Sequence, residues 1–181
     1  MTVVLTQGPV PRPVRWDVVS VQDSDVVMGQ SIGESVLAEL QAHAARDGVA
    51  LRLGVVIERR GELLLLDRAE PEPRPGRGLL MLPGTTVKPK EDLAAAVSRA
   101  VMEETGLTVT GIRRYIGSFD YLSNAGTPVR RLHFAVAVAA DQPILLSNYD
   151  RYVWASLDDE LPVTSSIRDI LAAYRRDDGR G

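Results

Sequence analysis

The chain has 181 residues, 45% of them apolar and 25% charged, which fits one globular domain with a sizeable core. Its formal net charge of −3 gives no electrostatic footprint for nucleic acid, so a phosphate ligand must be met by local Arg or Lys and by metal. There is no Cys, and His43 and His133 are the only histidines, which excludes disulfides, thiol catalysis, cysteine-ligated zinc and a His-rich metal centre.

The N-terminus lacks a basic start followed by an apolar run, so it does not read as a signal peptide. No apolar stretch approaches the roughly 18 residues of a membrane span, and the expected location is cytoplasmic. Residues 1–13 carry Pro9, Pro11 and Pro13 and are expected to trail over the surface. Val14 to Val21 is rich in β-forming residues and predicts a strand. Ser31-Ile-Gly-Glu34 reads as a capping box, followed by Ile32, Val36, Leu37, Leu40 and Ala44 at helical spacing and by Gly48 as the stop. This predicts an N-terminal extension over 1–48, a strand plus a helix packed on a domain spanning 49–181. A single amphipathic helix is by default satisfied within its own chain; the alternative is a homodimer contact.

Leu51 to Ile57 and Glu62 to Leu66 read as strands joined by the turn Arg59-Arg60-Gly61. Glu70 to Gly78 is a Pro- and Gly-rich loop, and Leu79 to Leu82 a short buried strand. Leu107 to Ile116 and Arg130 to Ala139 predict two more strands, with Ser123 to Gly126 as a turn. In the second, Leu132, Phe134, Val136 and Val138 alternate with Arg131, His133, Ala135 and Ala137, which predicts one apolar and one open face. Tyr152 to Ala155 is the last strand, and Thr164 caps a final helix striped by Ile167, Ile170 and Leu171. Helices separated by mixed strands predict an α/β sandwich.

The most informative residues are Glu103 and Glu104, at the end of a helical stretch from Glu91 to Gly106. A helix C-terminus disfavours carboxylates. On the wheel, Leu93, Ala96, Val97, Ala100 and Val101 share a face, with Glu104 inside that sector and Glu103 at its edge. Acids so placed call for a compensating cation, a bound divalent metal; the bland reading is a solvated pair before a helix stop.

Upstream stands Leu82-Pro83-Gly84-Thr85-Thr86-Val87-Lys88-Pro89-Lys90-Glu91, a strand end and loop feeding the helix. Thr85 to Leu107 resembles the signature box of the Nudix hydrolases, with Glu91, Arg99, Val101, Glu103, Glu104, Gly106 and Leu107 in register. Leu-Pro-Gly before the box and Tyr152-Val153-Trp154 after it are similar to this family too. The chain departs from the box at Thr85, where Gly is usual, and at Ala100, where a Glu usually binds metal or activates water. Asn148 stands where several relatives carry an acid.

The resemblance implies a Nudix-type α/β/α sandwich with a mixed sheet, and a Mg2+- or Mn2+-dependent diphosphohydrolase acting on a nucleoside diphosphate linked to another moiety. Glu103 and Glu104 would hold the ion, Glu91 would support it, and Arg99 would orient the acids across one helical turn. Asp120 or Asp150 would replace the missing base. Arg131, Lys90, Tyr121 and His133 are the candidate substrate contacts: Arg131 for phosphate, Lys90 for phosphate or Glu91, Tyr121 for stacking. The loss at Ala100 supports a different reading, a nucleotide-binding or regulatory module with impaired hydrolysis, or a diphosphate-handling enzyme that is not a hydrolase. Neither reading involves nucleic acid or membrane.

Overall fold

The computed structural model describes residues 32–67 and 79–177. Pro9, Pro11, Pro13, the strand expected over Val14 to Val21, Ser31 of the capping box and the loop 70–78 lie outside them. The element order is α1 (Glu34–Arg46), β1 (Ala50–Arg59), β2 (Glu62–Asp67), α2 (Leu93–Thr105), β3 (Val109–Leu122), β4 (Pro128–Val138), β5 (Arg151–Ser156) and α3 (Ser165–Asp177). The five strands form one sheet in the order β3-β4-β1-β2-β5. β1 runs parallel to β4, and the other pairs are antiparallel.

Helices cover both faces. On one, Leu37 and Leu40 of α1 and Leu93, Ala96, Val97 and Val101 of α2 pack with Leu53, Val55, Ile57, Leu132 and Phe134. On the other, Ile167, Leu171 and Tyr174 of α3 pack with Val56, Leu63, Leu65 and Ala135. The face of β4 expected to be open is therefore a second core: His133 is fully buried beside it. Alternation along a strand distinguishes the two sides of a sheet but not whether a helix covers the more polar one.

α1 starts at Glu34 with Gly33 as its N-cap and no side-chain cap, so Glu34 is the first helical residue and not the third. The β1–β2 turn places Arg60 and Gly61 at φ 56° and 83°, the left-handed pair of a tight hairpin. Leu79 to Leu82 is not a strand. Met81 alone bridges Leu66, and the chain then runs along β1 through Val55 N–H to Pro83 O (2.7 Å) and Leu53 N–H to Thr85 O (2.8 Å). Pro83 has no N–H to donate, which prevents a regular ladder. Gly84 is required there: a methyl on its Cα would lie 2.1 Å from the Leu53 carbonyl oxygen. β3 reaches Leu122 through three register shifts, so Asp120 and Tyr121 stand on a strand and not on a loop.

Candidate functional site

The loop after β1's partner segment and the C-terminal end of α2 meet at Gly84. Its amide donates to Glu104 Oε2 at 2.7 Å. The Tyr149 hydroxyl lies 3.5 Å from Glu104 Oε1. α2 itself is set by Asp92, whose side chain accepts from Ala95 N–H at 2.7 Å, and by Gly106, at φ 70°, which closes it. Backbone carbonyls at that end are met by the following segment: Ser147 Oγ donates to Glu103 O, and Leu145 N–H to Thr105 O. Hydrogen-bond donors thus offset part of the unfavourable helix end.

Arg99 organises the entry to α2. Its Nε and Nη2 donate to the two oxygens of Glu91 at 2.6 and 2.8 Å, its Nη1 to Glu103 Oε2 at 3.0 Å and Thr85 Oγ1 at 3.3 Å, and its Nη2 to Thr86 O at 2.9 Å. Glu91 Oε2 also accepts from Lys88 N–H at 2.8 Å. The Arg99 guanidinium holds the Glu91 carboxyl down at a pKa of about 2. Thr85 therefore contributes a hydroxyl acceptor, while the close backbone approach expected at that position falls one residue earlier, on Gly84.

Glu103 is half-exposed and Glu104 is partly buried, as their order on the wheel implies. Ala100 beneath them is fully buried, and no acid fills its place. Among the described residues, no three of His, Asp and Glu converge with the spacing of metal ligands. Glu91 has both oxygens committed to Arg99 and Lys88. Glu103, with one oxygen on Arg99, and Glu104, which accepts from Gly84 and faces the Tyr149 hydroxyl, are the carboxylates that would hold a cation, its other positions filled by substrate phosphate and water as magnesium favours.

Asp120 is bound by an arginine. Both its oxygens accept from Arg130 at 2.8 Å, and Arg130 also donates to Asp47 at the end of α1 at 2.7 Å. Asp150 is exposed just before β5, and its N–H donates to Asp67 O at 3.1 Å. Lys90 is exposed in the left-handed region at φ 64°.

Arg131 comes to the site from the sheet. A methyl on Gly84 would lie 3.1 Å from Arg131 Nη2, and one on Gly54 would lie 3.3 Å from Arg131 Nε. Arg131 Nε is buried without a hydrogen-bond partner. His133 is next on the same strand face, stacked on Phe119 at 5.3 Å between centroids. No well-formed hydrogen bond reaches either of its ring nitrogens, and the backbone of Gly117 and Arg131 compensates only weakly. Burial first, and the Arg131 charge second, push the imidazole down to about 3. A neutral ring sealed in the core is a packing group. Tyr121 joins Arg131's surroundings: Arg52 Nη1 donates to its hydroxyl at 3.4 Å.

Arg52 and Tyr149 are site neighbours that the sequence did not single out. Arg52 precedes the apolar run of β1, and Tyr149 precedes Asp150; neither belongs to a pattern with a chemical meaning of its own.

The sequence profile of the NUDIX domain matches residues 50–174. The chain belongs to the Nudix family. This places it among hydrolases of pyrophosphate bonds. Among solved structures, it is similar to the MutT protein from Methanosarcina mazei Go1, at 29% identity and TM-score 0.60, over 72% of this chain and 96% of that one. An Ap4A hydrolase from C. elegans is 20% identical with TM-score 0.59, over 74% of this chain and 100% of that one. The NUDIX domain of Shewanella oneidensis NrtR, complexed with ADP ribose, is 20% identical with TM-score 0.56, over 77% and 97%. No curated protein matches this Nudix chain significantly in sequence. Among its described residues, no helix is long and apolar enough to cross a membrane.

Proposed function

We propose that this Nudix protein is a divalent-metal-dependent diphosphohydrolase acting on a nucleoside diphosphate linked to another moiety. The observation that carries the reading is the convergence at Gly84: Glu104 accepts its amide at 2.7 Å, and Arg131 Nη2 lies 3.1 Å from where a methyl on it would stand. A carboxylate for a cation and a guanidinium for phosphate thus share one loop. Glu103 and Glu104 are the acids that would hold magnesium or manganese, which when bound polarises phosphoryl oxygens. Arg99 holds Glu103 in place and is itself fixed by Glu91. Arg131 binds and orients phosphate, with Tyr121 beside it. Lys90, exposed at the loop, meets the solvent side of the ligand. Asp120, which is held by Arg130, or Asp150 would take the proton from water.

Helix α1 acts as a further layer: it places Leu37 and Leu40 in the core, and Gln41 Nε2 donates to Glu91 O at 2.8 Å. The solved Ap4A hydrolase and the ADP-ribose complex of the NrtR NUDIX domain agree with a nucleotide derivative as ligand.

The test is release of the nucleotide products of diphosphate-bond cleavage from nucleotide sugars, dinucleotides and nucleoside triphosphates with magnesium or manganese. Turnover that Glu104→Gln abolishes is expected; release no greater than that of the variant defeats the reading. One observation favours a second reading: Ala100 is sealed in the core with no acid in its place. Nucleotide binding without turnover in the same assay would assign the chain a binding or regulatory role.

A further inference from the structure

The site contains a cation, Arg131, with no ion pair among the described residues. Arg131 Nε is buried and unpartnered, and no described residue forms an ion pair with this guanidinium. Its charged neighbours are Arg52, of like sign, and Glu104; Tyr121 and Tyr149 are the phenols around it. Glu104 already accepts from Gly84 N–H on Oε2. Two guanidiniums therefore stand near one carboxylate, with two phenols beside them. Burial disfavours the Arg131 charge, but a guanidinium does not shed its proton in a protein. Buried charges are paired in stable proteins, so such a group is completed by an anion. Its planar fork matches two oxygens of a phosphate.

The acids that would hold a cation are few. Ala100 offers no ligand, and Glu91 is committed to Arg99 and Lys88. A diphosphate arriving here meets less metal-borne charge than a three-carboxylate site would supply. We propose that Arg131, assisted by Arg52, supplies that charge from the protein itself, so that the site captures a diphosphate before and without a metal ion. Gly54 and Gly84 are part of the device, since a methyl at either would crowd the guanidinium, at 3.3 and 3.1 Å, besides striking His133 and the Leu53 carbonyl.

This rests on the proposed diphosphate site, and the experiment separates the two. Inorganic pyrophosphate is titrated calorimetrically into the full chain in EDTA, with orthophosphate and sulfate as further arms. The wild-type chain binds pyrophosphate without metal, and more tightly than either single anion. Arg131→Met weakens this roughly tenfold or more, the loss of a charge-assisted pair. Arg131→Lys, which keeps charge without the fork, falls between. Arg52→Met, at an exposed position that does not threaten folding, weakens binding severalfold. Glu104→Gln, which removes the acid facing Arg131, binds metal-free pyrophosphate at least as well as wild type while losing any hydrolysis. Binding that appears only with magnesium, or that survives both Arg131→Met and Arg52→Met, overturns the proposal. Equal affinity for sulfate and pyrophosphate overturns the assignment to diphosphate. Hydrolysis by wild type is read separately and stands or falls without these outcomes.

Discussion

Arg99 grips Glu91 with two parallel hydrogen bonds, Nε to Oε1 at 2.6 Å and Nη2 to Oε2 at 2.8 Å, and with its remaining donors ties the loop before α2 to Glu103. Glu91→Gln is expected to destabilise the chain by about 2 kcal/mol in urea unfolding, the range for hydrogen bonds to charged groups. The pH dependence has a definite sign. The folded carboxyl titrates at about 2, below its ordinary 4.5, so its stabilisation is complete above 4.5 and is lost as pH falls toward 2. A variant whose stability falls as steeply as wild type across that window would contradict this role.

His133 sets a second acid window. Its folded value of about 3 lies below the ordinary 6.5, so between those limits the unfolded chain takes up a proton that the folded chain does not. Stability therefore falls as pH drops from 6.5 to 3. His133→Leu should change stability at neutral pH by no more than about 1 kcal/mol, because an unsatisfied polar ring is replaced by an apolar group. It should also remove this component from the pH profile; an unchanged slope would refute it.

Ala100→Glu places a carboxylate where the side chain is now fully buried, next to two others. Without metal it should destabilise by about 2–4 kcal/mol, the cost of an uncompensated buried charge. Magnesium should restore much of the loss, by linkage. Thermal unfolding in EDTA and in magnesium reads this, and a magnesium-insensitive melting temperature in the variant would count against two acids already present at that point.

Gly84→Ala forces a methyl to within 2.1 Å of the Leu53 carbonyl, a backbone atom that cannot turn aside. A loss of about 3 kcal/mol or more is expected. Denaturation midpoints measure it, and a near-neutral result would mean that this loop does not lie against β1.

Lys90 holds φ 64°, where a side chain is disfavoured. Lys90→Gly should stabilise by about 0.5–1 kcal/mol through relief of that strain, and Lys90→Ala should not. Equal stability of the two variants would show that the gain does not come from the backbone.

Much of this molecule is legible from its residues. α2 begins at Asp92 and ends at Gly106 because a side-chain acceptor and a left-handed glycine stand at its two ends, and the apolar stripe between them is unbroken. The β3–β4 hairpin follows from the turn at Ser123 to Gly126, and α3 from Thr164, which accepts from Ile167 N–H at 3.4 Å. What escaped is what depends on tertiary contact. Asp120 looks like any loop acid until Arg130 is seen bonded to both its oxygens. Arg131 and His133 share a strand face that looks wet until α3 and Phe119 cover it. Arg52 and Tyr149 reach the site from chain segments with no motif, so only the folded arrangement identifies them.

The parallel pairing of β1 with β4 joins Ala50 to Val129 and Ile57 to Val136. During synthesis β1 therefore emerges long before its neighbour exists, and such distant pairings are slow to form. The Pro83–Thr85 segment rests on β1's opposite edge, so the loop beside Glu104 is held by a strand that waits for its parallel partner. A ribosome stalled short of residue 129 would hold a nascent chain with a bare apolar edge, a substrate for chaperones or a seed for aggregation.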